Sequence, residues 1–164
     1  MTSEPNALDA FADRTDYPLV VVTTAAEGDR AGCLAGFVTQ CSIDPPRLLV
    51  CISRVNHTFR IAQRARLLGV HLLGDRQFDV ASLFGEWSGD QVDKFSRVRW
   101  HPGPEGLPLL DDCAVWLVVE VLHRFDVGDH QALVTAPQDG GTGAESGLMT
   151  FRTAPAFEAG HPAG

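Results

Sequence analysis

Positive charge is scarce in this chain and narrow in kind. The 164 residues carry 13 Lys+Arg against 21 Asp+Glu, a formal charge of -8, and Lys94 is the only lysine. The arginines are scattered, with no basic stripe and no polybasic patch, which argues against generic nucleic-acid binding and against docking on an anionic membrane surface. Long apolar runs are missing too. The longest, Cys113 to Val119, stops at Glu120, far short of the roughly 20 residues that a membrane-spanning helix requires. The opening Met1-Thr2-Ser3-Glu4-Pro5 lacks the basic-then-apolar pattern of a signal peptide, so a cytoplasmic protein is the expectation. Cys33, Cys41, Cys51 and Cys113 form no CxxC pair, and no HxH or HExxH spacing occurs, so neither a thioredoxin motif nor a metal centre is indicated. GxGxxG, P-loop and GxSxG patterns are equally absent.

What is present is enough for one domain with a real core: 45% hydrophobic and 21% charged residues, with a pI of about 5.1. Turn signals divide the chain into strands: Leu19 to Thr24, a turn at Glu27-Gly28-Asp29, then a long apolar stretch from Ala31 to Ile43 ended by Asp44-Pro45-Pro46. Leu48 to Ile52 reads as a buried strand paired with the one before the prolines. Asn56 is a good N-cap for a helical period running through Phe59, Ile61, Ala62, Ala65 and Leu68. A short strand, Gly69 to Leu73, follows. Asp75 is the next candidate N-cap, opening a helix with Val80, Leu83, Phe84 and Trp87 on one face. Pro102 to Gly106 reads as a loop, Val115 to Leu122 as the most β-prone segment, and Ala132 to Thr135 as a strand after a turn at Gly128-Asp129-His130. A mobile loop over Pro137 to Gly147, a last short strand from Leu148 to Arg152 and a disordered tail over 154–164 complete the reading. Six or seven strands with hairpin spacing and two or three flanking helices predict a mainly β, α+β domain, an antiparallel barrel over 17–153 behind an extension at 1–16.

Three segments offer chemistry. The order strand, Ser53-Arg54-Val55-Asn56-His57-Thr58, helix presents unpaired N–H groups with hydroxyl and cationic side chains, an arrangement suited to a phosphate; a simple cap with a solvated Arg54 is the alternative. In Gly36-Phe37-Val38-Thr39-Gln40-Cys41-Ser42, Gly36 permits close approach and Thr39, Gln40 and Ser42 can meet the edge of a planar heterocycle; an ordinary half-buried strand bulged at Gly36 is the alternative. His130 stands where a barrel rim would let it reach a ligand, or where it merely bonds Asp129. Lys94, in Asp93-Lys94-Phe95, is either a phosphate partner or a solvated cation.

In order along the chain, Val20-Val21-Val22-Thr23-Thr24, Ala31-Gly32-Cys33, Gln40-Cys41-Ser42-Ile43-Asp44-Pro45-Pro46, Val50-Cys51-Ile52-Ser53 with Asn56-His57-Thr58, Asp93-Lys94-Phe95, Gly106 to Leu110 and Gly128-Asp129-His130 resemble the flavin reductase family, whose members have an FMN-binding split β-barrel. The resemblance runs from about Tyr17 to Thr135. It implies that Gly36, Phe37, Val38, Thr39, Gln40 and Ser42 line the isoalloxazine ring, that Ser53, Arg54, Asn56, His57 and Thr58 hold the phosphate, that Lys94 and Phe95 lie beside the flavin, and that His130 is catalytic near the nicotinamide. It further implies FMN or FAD as cofactor, NADH or NADPH as co-substrate, a homodimer, and a flavin-dependent monooxygenase as recipient of reduced flavin. Two departures stand out: Gly36-Phe37 where many relatives have Ser-Ala, and Ala132-Leu133-Val134 where many have an apolar pair followed by Gly. The expected function is an NAD(P)H:flavin oxidoreductase. The alternatives are a flavin-binding barrel without nicotinamide reactivity and a structural barrel without flavin.

Overall fold

The computed structural model describes residues 6–154. Valine- and threonine-rich segments form a seven-stranded sheet from β1 (Val20–Ala26), β2 (Asp29–Ala35), β3 (Val38–Ser42), β4 (Arg47–Ser53), β5 (Leu67–Leu72), β8 (Val115–Asp126) and β9 (His130–Thr142), in the order β2-β1-β5-β8-β9-β4-β3. Every pairing is antiparallel. Strands β6 (Trp100–Pro102) and β7 (Pro108–Leu110) make a separate two-stranded hairpin. The helices are α1 (Ala7–Asp13), α2 (His57–Ala62) and α3 (Phe78–Glu86).

Strands β2 and β3 are consecutive in the chain yet occupy opposite edges of the sheet, joined only by Gly36 and Phe37. The sheet therefore curls until its edges meet at this corner. Cys33 and Ala35 from one edge and Val38 from the other pack in the same core as Val50, Val70, Val119 and Leu133. The result is a barrel with an open seam between β2 and β3, the split-barrel architecture expected. Ala62 and Phe59 bring α2 onto this core.

Strand β1 is apolar on both faces because both are covered. Val20 and Val22 point into the barrel, while Leu19 and Val21 face a second core containing Ala81 and Phe84 of α3 with Phe95, Leu110 and Met149. A third cluster, Leu67, Leu107, Leu109 and Val118, lies against the β6–β7 hairpin. His71 of β5 is fully buried between these layers; its Nδ1 lies 3.0 Å from the Val21 carbonyl and its Nε2 accepts from the Leu110 N–H at 3.1 Å. Burial first, and His101 to a lesser degree, holds its pKa down at about 4 from 6.5, against the Val21 bond.

Several expected boundaries move. The apolar stretch from Ala31 to Ile43 is two strands, because Gly36 and Phe37 carry the chain between edges. The helix after Asn56 stops at Ala62 instead of reaching Leu68: Leu67 pairs with β8, and Leu68 with both β1 and β8. Asp75 does not cap α3; Gln77 stands at that position, its Oε1 accepting from the Gly74 N–H at 2.8 Å. The proposed loop from Pro137 is strand through Thr142, since twelve residues of β8 require a partner. Pro137, which lacks an N–H, falls beside a register shift. Leu148 to Arg152 is not a strand: Thr150 makes one isolated bridge to Pro18 and a turn follows. Part of the 1–16 extension is α1, and the tail from 155 onward lies outside the described residues.

Candidate functional site

The end of β4 leads into α2 through a tight turn. The Asn56 N–H donates to the Ser53 carbonyl at 3.1 Å, and the Asn56 side chain accepts from the Thr58 N–H at 2.9 Å, capping the helix as its residue type favours. Two buried hydroxyls flank this turn. Ser53 is 8% exposed and its Oγ has no hydrogen-bond partner; Thr58 is 1% exposed and its Oγ1 meets no nitrogen or oxygen partner, only the thiol of Cys33. Buried polar groups are nearly always satisfied, so two donors without a nitrogen or oxygen partner mark a place where something outside the chain completes the bonding.

The turn is tied to the His130 region by backbone. Arg54 N–H donates to the Asp129 carbonyl at 2.9 Å, and Ser53 pairs directly with His130 in the β4–β9 register. His130 Nδ1 lies 2.7 Å from Asp129 Oδ1, and that bond holds the Asp129 carboxyl below its usual range. Its imidazole meets the Phe37 ring edge-on, centroids 5.3 Å apart. Phe37 in turn packs on Tyr17, and Tyr17 on Phe151, each at 6.2 Å. Gly36 makes room for this cluster, since a Cβ there would lie 2.8 Å from the Phe151 ring.

Val38, Thr39, Gln40 and Ser42 lie on β3, whose only sheet neighbour is β4. Thr39 and Gln40 are exposed, and the Gln40 amide donates to the Ser42 carbonyl at 3.1 Å. Among the described residues one edge of this strand therefore pairs with no other strand, although the Gln40 and Ser42 carbonyls take side-chain donors.

His57, Lys94 and Phe95 sit together on a different side of the turn, in a cleft of about 280 Å³ lined also by Arg30, Gly32, Asp90 and Asp93. His57 Nδ1 is 2.8 Å from an Arg60 nitrogen and 3.1 Å from Asp90 Oδ1, while Arg60 reaches Asp90 at 2.6 Å. A single ring nitrogen serves one neighbour at a time: bare, it accepts from Arg60; carrying a hydrogen, it donates to Asp90. Arg60 first, with His57 adding, holds the Asp90 carboxyl below its usual range.

Lys94 is neither a solvated cation nor a free phosphate partner. It is 5% exposed, and its amine donates to the carbonyls of Gly32 at 3.0 Å and Phe84 at 3.2 Å, bracing β2 against the last turn of α3. Burial pushes its pKa down. Phe95 is a core residue, 5.8 Å from Phe84 and 5.5 Å from Trp100 by ring centroid.

The structure thus joins Phe37, Ser53, Arg54 and His130 through the β4–β9 register, with β3 beside them, places Asn56 and the buried Thr58 at the start of α2, and sets His57, Lys94 and Phe95 on the adjoining cleft. Arg60 and Asp90 escaped the sequence reading. Arg60, one turn after His57, carried an i, i+3 signal, whereas Asp90 lies 30 positions further on and carried none. Tyr17 and Phe151 likewise come from opposite ends of the chain.

Comparison with known proteins matches residues 12–155 to the family model described as flavin reductase like domain. Among curated relatives, the chain is 35% identical over 69% of its length to the FMN reductase (NADH) RutF of Pseudomonas syringae pv. syringae, covering 63% of that protein. It is 27% identical over 89% of its length to the reductase component of the flavin-dependent trigonelline monooxygenase of Acinetobacter baylyi, covering 46% of that protein. The chain therefore spans about half to two thirds of the length of these relatives. The crystal structure of a flavin reductase domain protein from Arthrobacter sp. FB24 superposes with a TM-score of 0.78 at 22% identity, covering 94% of this chain and 96% of that one, and shares its fold. With the barrel, the ordered motifs and a family match over nearly all of its described residues, the chain belongs to the flavin reductase-like domain family.

Proposed function

We propose that this chain is an NAD(P)H:flavin oxidoreductase acting on FMN, with FAD as the alternative flavin. The observation that carries the reading is the pair of buried hydroxyls without nitrogen or oxygen partners, Ser53 Oγ and Thr58 Oγ1, flanking the Asn56-capped turn beside His130. Both are donors placed for a phosphate, and the exposed Arg54 adds charge. The names of the relatives, an FMN reductase (NADH) and a monooxygenase reductase component, point the same way.

The flavin, when bound, supplies hydride acceptance, and the protein supplies binding and orientation. The Ser53 and Thr58 hydroxyls, with the Arg54 guanidinium, would hold the phosphate end. The free edge of β3 from Val38 to Ser42, with the corner at Gly36 and Phe37, meets the polar rim of the ring through backbone groups. His130, its Nδ1 engaged by Asp129, would have Nε2 left to orient the nicotinamide. Lys94 and Phe95 support the adjoining wall from within. The reading extends to a cytoplasmic homodimer of the 17–153 domain that hands reduced flavin to a monooxygenase. Exposed apolar residues around the site, Phe37, Val55, Phe125 and Val127, suit burial against a second copy.

The test is steady-state oxidation of NADH and NADPH by purified protein, with FMN titrated from zero and oxygen as acceptor. Turnover that saturates with FMN is expected, with one nucleotide preferred. Flavin binding without oxidation of either nucleotide would leave a flavin-binding module. No turnover and no FMN binding would sink the reading.

A further inference from the structure

We infer that Phe37 is a positioning residue for His130: its ring, set at the seam corner, fixes the imidazole plane that Asp129 alone does not secure. The inference rests on the reading of His130 as the group that meets the nicotinamide, and it concerns a side chain that backbone contacts to flavin would leave without a role.

The 2.7 Å bond to Asp129 holds the imidazole only as firmly as Asp129 is itself held, and the Asp129 side chain is exposed. Phe37 supplies the second constraint. Its ring meets the imidazole at 5.3 Å and 62° between planes, the edge-on geometry that aromatic pairs prefer. The chain has fixed Phe37 from several directions. Its carbonyl accepts from the Cys51 N–H at 3.0 Å, which pins the backbone of the corner to β4. Tyr17 abuts the Phe37 ring at 6.2 Å and 89°. Tyr17 is backed by Phe151, whose N–H donates to the Tyr17 carbonyl at 2.8 Å. Gly36, lacking Cβ, lets Phe151 close against the corner.

At 51% exposed, Phe37 contributes little to the core of the single chain, and its ring contacts are those with Tyr17 and His130. With Nδ1 held by Asp129 and the plane held by Phe37, Nε2 is the one imidazole nitrogen left to a ligand; among the described residues it has no partner. An alanine at 37 would lack this contact.

The experiment is a double-mutant cycle of Phe37→Ala and His130→Ala, read in kcat and KM for NADH and in FMN affinity by flavin fluorescence. Phe37→Ala is expected to raise KM for NADH between about twofold and tenfold, the range of one aromatic contact, with FMN affinity unchanged. In the His130→Ala background it should add nothing. Phe37→Tyr, which keeps the ring, should restore the wild-type value. An additive cycle, or a loss in FMN affinity equal to the loss in KM, would overturn the inference by showing that Phe37 acts on the flavin directly. A second measurement needs no turnover. In ligand-free protein the His130 ring protons should carry a ring-current shift that vanishes in Phe37→Ala and persists in Phe37→Tyr. Unchanged His130 resonances in Phe37→Ala would refute the contact even if the wild type proved inactive toward NADH, so failure of this inference and failure of the reductase reading are distinguishable.

Discussion

Acid should weaken this fold in a window set by His71. The imidazole is fully buried, bonded on one side to the Val21 carbonyl and on the other to the Leu110 N–H, a pattern only the neutral ring satisfies. Its pKa is about 4 in the folded chain against 6.5 when unfolded. Because the folded value is depressed, the unfolded chain binds a proton between these limits that the native chain refuses. Stability is then complete above pH 6.5 and lost as pH falls toward 4. The full difference corresponds to about 3 kcal/mol, of which about 2 kcal/mol is gone by about pH 5.

The measurement is urea unfolding at constant ionic strength between about pH 7.5 and about pH 5. With a slope of about 2 kcal/mol per M, the midpoint should drop by about 1 M. The depressed carboxyls of Asp16, Asp90 and Asp129 start from a reference of 3.8 and act lower, as they protonate. His71→Gln, with a donor and an acceptor but no titration, should be less stable at neutral pH and lose this slope. A wild-type midpoint flat across the window, or a Gln variant with the same slope, would refute the reasoning.

Three further outcomes follow from the packing. Thr58→Val removes a buried hydroxyl while keeping shape, so the ligand-free protein should unfold at the same or a slightly higher temperature while FMN affinity falls by about tenfold or more, checked by paired thermal and fluorescence titrations. Lys94→Met strips two backbone carbonyls, those of Gly32 and Phe84, of their donor and should cost about 1–3 kcal/mol in denaturant unfolding. Phe84→Ala empties the contact between α3 and β1; a loss of about 3–5 kcal/mol, roughly 10 °C in Tm, is expected by calorimetry.

The 53–58 turn was legible in sequence because capping is local chemistry: Asn56, two hydroxyl residues and the following helical period sit within a few positions of each other. Strands β1, β4 and the first half of β8 were legible for the same reason, whereas β2 and β3 read as one stretch and the second half of β9 as a loop. What escaped was decided by partners far along the chain. Leu67 and Leu68 continue the period of α2 yet belong to β5, because β8 pairs with both and β1 with Leu68. The glycines of β9 looked like loop, but Gly140 and Gly141 lie so close to Leu117 and Trp116 that larger residues would collide with β8. Hairpin β6–β7 is too short, and too rich in proline, to announce itself. Lys94 looked like a ligand cation because nothing within a few residues of it reveals that β2 and α3 enclose its amine.

That enclosure has a practical meaning. Lys94 is the chain's only lysine, so the folded surface of these 164 residues offers no side-chain amine, and its positive charge is carried by guanidinium groups. Acetylation, aldehyde cross-linking and active-ester labelling have little to grip on the native molecule beyond an α-amino group. Labelling of Lys94 then reports on one event, the parting of β2 from the end of α3, and its rate measures how often that seam breathes.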